Sequence, residues 1–331
     1  MRRELTENEL RYTKVIHAIG LAMCAHVILF AYLMPFLWSV FSFSGLSWLY
    51  ILSETAGYVA EELLYALFYL LSFLLPILVL KCFLGRENVQ PKEMYTEPRL
   101  SRYLPYMIFA IVFLVRIASD INYGLLSLFS VGGGSIDVAT PPMSGVELVL
   151  EFIVTCVVPG FCEELLFRGA ILTNCLPFGR TNAIVISSLL FAMMHENPTQ
   201  ILYTFVAGVL LGLVYEKTGS IWNCIVLHIM NNLFSTLDSF FVSNFRVDMA
   251  WIGILWDAIV MLLGVISIAV LIARFHSSSR DFENGFYQSE LPASDSYADL
   301  PITGKRAVRL FFMPAMIVYI VLFALSFVLW W

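Results

Sequence analysis

Apolar residues along this chain do not form the single stripe of a surface helix. They fill whole stretches, and polar residues gather between the stretches. Nine apolar runs stand out, at 15–40, 58–80, 103–129, 145–175, 181–196, 198–215, 220–242, 250–275 and 308–331. Several reach the roughly 20 residues that a helix needs to cross the hydrocarbon core. The fifth and sixth runs are short and meet at "HENP", where Pro198 breaks a helix, so they predict a hairpin that crosses only in part. The expected fold is all-α: a polytopic membrane helix bundle. Residues 1–275 would form the membrane domain. Residues 276–305, polar and rich in Ser and Asp, would form a flexible cytoplasmic linker, with 306–331 a last transmembrane helix.

Composition agrees with this reading. Of 331 residues, 60% are hydrophobic and only 13% charged, with a mean hydropathy of +0.82, too apolar for an ordinary soluble domain. Basic residues give an independent test. Counting Arg168, Arg274 and Arg309, near the ends of their runs, with the adjoining connections, every Lys and Arg except Arg116 and Arg246 falls in the N-terminal tail or on an alternate connection. That alternation predicts a cytoplasmic N-terminus by the positive-inside rule. The first apolar run is longer than a signal-peptide core, so it is expected to remain as a span. The net charge of −6 comes without a basic stripe, which excludes nucleic acid as an expected partner. The six cysteines are scattered, without CxxC spacing. "LPITG" at 300–304 is similar to a sortase signal, but its basic residues precede the apolar segment, so it is read as chance. "GGGS" at 132–135 is an external turn, not a phosphate loop.

Three places in the second half put polar side chains among apolar ones. In "PGFCEELLFRGAI", Glu164 and Arg168 are spaced i,i+4 with the acid first, the favourable order for an ion pair. Glu163 points about 100° away, free to face a cavity. In "FAMMH", Phe191 and His195 are again four apart, and in "HIMNN", His228 and Asn232 share a face. Counting about 1.5 Å per residue from the cytoplasmic ends puts Glu163 and His195 about 20 Å deep, with His228 and Asn232 at roughly 12–18 Å. An ionisable group at such depth is expensive and reads as functional. A carboxylate in an apolar cavity can take a proton from water near neutral pH. A histidine can hold that water, and a second His with an Asn can donate to the oxyanion of an attacked carbonyl. The same Glu163, His195 and His228 could instead ligate a divalent metal such as zinc. The residues leave both chemistries open.

Other polar positions take blander readings. Arg116 and Asp120 are i,i+4 and expected to neutralise each other. His17 and His26 are expected to be hydrogen-bonded packing residues. Glu54, Glu61, Glu62, Asp137, Glu147, Asp238 and Asp248, near external ends, are expected to be solvated. Glu196 follows His195 as in H-E-x-x-H, but residue 199 is Thr and Pro198 intervenes, so the zinc-protease helix is absent. No G-x-S-x-G elbow occurs.

In this order, the three elements resemble the CAAX-protease and bacteriocin-processing (CPBP, or Abi) family of intramembrane endopeptidases, whose pattern is E-E-x-x-x-R, then F-x-x-x-H, then H-x-x-x-N. Glu163-Glu164 with Arg168, Phe191 with His195, and His228 with Asn232 match it at every position, within a motif core of residues 145–245. The resemblance implies an eight-helix core, to which this chain adds the linker and the last helix. It implies that Glu163 activates water, His195 positions it, and His228 and Asn232 form the oxyanion hole, with Glu164, Arg168 and Phe191 as supports. It implies a peptide or membrane-protein substrate, prenylated in some members, and a mechanism argued both with and without metal. Its bacterial bias points to a bacterial cell membrane. Two other classes fit the same residues: a transporter or channel with Glu163, His195 and His228 along an ion path, and a non-catalytic bacteriocin-immunity protein. No repeat-related pair of broken helices supports the transporter.

Overall fold

The computed structural model describes residues 5–44, 53–85, 88, 100–128, 144–244, 250–277, 302 and 304–330. Every regular element among them is helical. In chain order these are α1 (Glu7–Val27), running through a π-helical stretch (Ile28–Leu33) into α2 (Met34–Ser44); α3 (Glu54–Leu84); and α4 (Leu104–Leu128). Then come α5 (Gly145–Glu151), a π stretch (Phe152–Val157), α6 (Val158–Glu164) and a second π stretch (Leu165–Leu172) ending in a short turn of helix, α7 (Thr173–Cys175). The rest are α8 (Arg180–Met193), α9 (Ile201–Thr218), α10 (Ile221–Asn244), α11 (Ala250–Ser277), α12 (Gly304–Phe311) and α13 (Pro314–Trp330). The GGGS turn, Asp137, Arg246, Asp248 and most of the 276–305 segment lie outside the described residues.

Nine spans were expected; among the described residues six helical stretches are long and apolar enough to cross a membrane. The difference has three sources. The helix α8 has only 14 residues, too short to cross. The 24-residue α10 is long enough, but Asn223, His228, Asn231 and Asn232 reduce its apolar character. The last run is broken: α12 and the helix from Pro314 meet at 72°, because Pro314 cannot continue a helix that precedes it. As expected at HENP, helix stops at Met193 and resumes at Ile201.

The described chain divides into two compact units. One unit comprises residues 1–92, 161–196 and 292–331. Here α1 packs on both α3 and α13. Gly20 permits the second contact, since a Cβ there would lie 2.6 Å from the Met316 backbone nitrogen. Small residues let helix backbones approach closely in lipid, where packing replaces the hydrophobic effect. The Tyr32 hydroxyl donates to the Leu322 carbonyl (3.1 Å), and Arg306 on α12 pairs with Glu9 on α1. Ile302 donates its N–H to the Phe178 carbonyl (3.2 Å) and accepts from the Asn182 amide. The last helix is therefore knitted into this unit at both of its approaches. His26 behaves as expected of a packing residue: it is buried, with Nδ1 3.0 Å from the Ser72 carbonyl.

The second unit comprises residues 93–160 and 197–291. Its α4 packs on α9, α10 and α11, and α10 also packs on the π stretch Phe152–Val157. Gly160 is needed there, because a Cβ would stand 2.4 Å from Ile229 Cγ1. Glu147 is not merely solvated: it forms a capping box with Ser144, Oε2 accepting from the Ser144 N–H at 2.6 Å. Two further expectations fail in this unit. Arg116 does not pair with Asp120. Its guanidinium bridges Asp238 (2.7 Å) and Asp257 (2.8 Å), and Asp238 also accepts from Trp256 Nε1 at 2.8 Å. Asp238, expected to be solvated, is thus bound by two donors. Glu61 and Glu62, in the first unit, are half-buried rather than solvated.

Candidate active site

The helix α6 ends at Glu164, and the π stretch that follows rotates the chain by one extra residue per turn. Both carboxylates and Arg168 are enclosed: Glu163 is 3% exposed, and Glu164 and Arg168 are wholly buried. The two acids have different partners. Glu164 Oε1 accepts from Arg168 Nη1 at 2.9 Å, as the i,i+4 spacing predicts. Glu163 Oε1 accepts from the Tyr69 hydroxyl on α3. Arg168 thus pairs with Glu164, and a phenol from another helix donates to Glu163.

The π stretch frees backbone carbonyls that need donors. The Phe167 carbonyl accepts from Ser187 Oγ on α8 (2.9 Å), and the Arg168 carbonyl from Thr173 Oγ1 (2.7 Å). The Ser187 bond ties α8 to the charged turn and brings Phe191 over it. The Arg168 guanidinium lies 4.6 Å from the Phe191 ring centroid, and Phe167 meets the same ring edge-on at 5.2 Å. A buried cation over an aromatic face is stabilised by the ring quadrupole. Four residues later, just past the end of α8, His195 Nδ1 lies 2.8 Å from the Phe191 carbonyl. A carbonyl can only accept, so Nδ1 carries the proton and Nε2 of the neutral ring is an acceptor. Phe191 thus joins two motifs, its ring to Arg168 and its carbonyl to His195. Glu196 follows at φ 50°, a left-handed conformation rare for a non-glycine residue.

All five of these residues, Glu163, Glu164, Arg168, Phe191 and His195, lie in the first unit. His228 and Asn232, on α10, lie in the second. His228 is 6% exposed. Asn232 Nδ2 donates to the Thr155 carbonyl at 3.0 Å, a carbonyl within the π stretch Phe152–Val157. This bond orients the amide and uses one of its two N–H donors. The boundaries between units fall at 160/161, inside α6, and at 196/197, inside the HENP turn. Among the described residues no group of three His, Cys, Asp or Glu stands close enough to hold a metal. Of the candidate ligands, Glu163 and His195 belong to the first unit and His228 to the second.

Sequence reading missed Tyr69. Its signal was present as Tyr65, Tyr69 and Phe73, four apart in an apolar span. Spacing on one helix places Tyr69 on a face but does not say what meets that face.

Residues 145–234 match the family model for type II CAAX prenyl endopeptidase Rce1-like proteins. No curated protein and no solved structure matches the chain. The segment from α5 to the middle of α10, with all three motifs, is therefore Rce1-like, consistent with the CAAX-protease and bacteriocin-processing family of intramembrane endopeptidases.

Proposed function

We propose that the protein is an intramembrane endopeptidase of CAAX-protease type that hydrolyses a peptide bond with water activated by Glu163. One observation carries this reading. Two adjacent buried carboxylates make different bonds: Glu164 pairs with Arg168, and Glu163 accepts from the Tyr69 phenol. Adjacent acids set apart in this way take different roles. Glu163 is the base and Glu164 belongs to the ion pair that fixes the turn. His195 Nε2 accepts a hydrogen bond from the same water. Glu163 removes a proton from the water as its oxygen bonds to the scissile carbonyl. The family resemblance assigns His228 and Asn232 as the donors to the oxyanion. The proton on Glu163 then passes to the departing amine as the C–N bond breaks. The substrate is a peptide or membrane protein, with prenylated C-terminal segments the first class to try. The alternating basic residues support a cytoplasmic N-terminus, and the resemblance supports a bacterial cell membrane.

The test is cleavage of a mixed pool of prenylated and unprenylated peptides by detergent-solubilised wild type and Glu163→Gln, with and without a strong chelator. Loss of a general base should lower turnover by about 10²- to 10⁴-fold. Wild-type cleavage that survives chelation and disappears in the variant supports glutamate-driven hydrolysis. Cleavage abolished by chelator and restored by zinc replaces it with a metal mechanism. No cleavage by wild type, together with ion or proton flux in liposomes, replaces the protease with a transporter.

A further inference from the structure

We propose that Tyr69 is a positioning residue for the proton-accepting carboxylate, fixing which oxygen of Glu163 does the chemistry. The inference rests on the reading of Glu163 as base. It extends that reading to α3, a helix outside the Rce1-like segment 145–234.

The Tyr69 phenol donates to Glu163 Oε1 from a side chain that is 7% exposed. Its ring has little freedom to move. It stacks on Phe73 (centroids 4.8 Å apart), Phe30 meets it edge-on at 5.9 Å, and Tyr65 lies 5.9 Å away. Phe73 and Phe30 are in turn held by the His26 ring, at 4.8 and 5.7 Å. His26 is fixed by the Ser72 carbonyl. The aromatic and imidazole rings of α1, its π stretch and α3 thus form a rigid backing that meets Glu163 through the Tyr69 hydroxyl. An aromatic wall needs no hydroxyl to fill space. Here the hydroxyl ends on Glu163, the carboxylate proposed as the base.

The chemical consequence follows from the donor count. Glu163 has two oxygens, and Oε1 already accepts the Tyr69 proton. The proton taken from water therefore lodges on Oε2, and the phenol keeps its own proton throughout. The bond also stops the carboxylate from rotating between turnovers, which keeps Oε2 near a near-attack geometry. A hydrogen bond to an ionised group is among the strong ones.

Tyr69→Phe removes one oxygen atom and keeps the ring. Turnover should fall about 10- to 100-fold, the equivalent of one hydrogen bond to a charged group, with KM within about twofold. Tyr32→Phe, which loses a hydroxyl bonded to a backbone carbonyl in the same unit, should leave kcat unchanged. A second readout does not depend on proteolysis: the Glu163 carboxyl band in infrared spectra, assigned by difference against Glu163→Gln. That band should shift in Tyr69→Phe and not in Tyr32→Phe. Should Tyr69→Phe fail to fold, 3,5-difluorotyrosine at position 69 keeps the bond and strengthens the donor, so the band should move in the opposite direction. An unshifted Glu163 band, or full turnover in Tyr69→Phe, overturns the proposal. A wild type that cleaves nothing but whose band shifts in Tyr69→Phe keeps the positioning contact and refutes the protease reading instead.

Discussion

Two clusters of charge lie within the helices of this protein, and they are built in opposite ways. Glu164 and Arg168 sit one turn apart, wholly buried, with Phe191 over the guanidinium. Arg116 reaches two acids on two other helices, Asp238 on α10 and Asp257 on α11, and all three side chains keep some exposure, from 27% to 47%. The first cluster is local and dry. The second is assembled by tertiary packing and partly open. Enclosure raises the cost of breaking an ion pair far more than it raises the value of having one, because an orphaned charge in a dry site has nowhere to go.

The sharpest way to break the comparison is to orphan the buried acid. Arg168→Ala should destabilise the fold by about 3–5 kcal/mol and remove the support of Phe191, and with it His195. Loss of monodisperse protein, or a large fall in Tm in detergent, would register it. Arg168→Lys should restore only part, since an ammonium lacks the planar face that stacks on Phe191. The double variant Glu164→Gln/Arg168→Met should be more stable than Arg168→Ala alone, because no buried charge is left without a partner. A double variant no better than Arg168→Ala would show that the guanidinium matters for packing more than for charge.

The same contrast explains what the sequence made legible. Glu164–Arg168 could be read because both residues belong to one helical turn, and Phe191–His195 because their contact is also i to i+4. Arg116 was misread by the same rule. Spacing offered Asp120, but the helix packing turns the guanidinium toward α10 and α11, and two acids outcompete one. Tyr69 was invisible because its partner is 94 residues away. Helix existence was legible from apolar runs throughout. Crossing was less so: α8 is apolar but short, and the last run contains a Pro314 bend that a count of hydrophobic residues does not reveal.

Breaking the open cluster should cost less. Arg116→Ala leaves two carboxylates facing each other, but both side chains stay partly exposed, so the loss should be about 1–2 kcal/mol, between the exposed-pair and buried-pair regimes. Asp238→Asn should cost more than Asp257→Asn, since Asp238 also receives the Trp256 N–H and is the less exposed of the two. Thermal unfolding in one detergent, at two salt concentrations, checks both. The Arg116 variants should lose part of their deficit at high salt through screening, and the Arg168 variants should not.

The smallest expected effect is the most discriminating. Asp120 is exposed, and among the described residues its carboxylate has no hydrogen bond or ion pair. Asp120→Asn should therefore leave Tm unchanged, despite the i,i+4 spacing that suggests a pair with Arg116. A double-mutant cycle makes this quantitative: coupling between Arg116 and Asp120 should vanish within error, while coupling between Arg116 and Asp238 should not. Coupling of similar size in both cycles would mean that Arg116 exchanges between its own helix and its neighbours. The open cluster would then be mobile as well as wet, and the difference between the two clusters would be one of order as much as of burial.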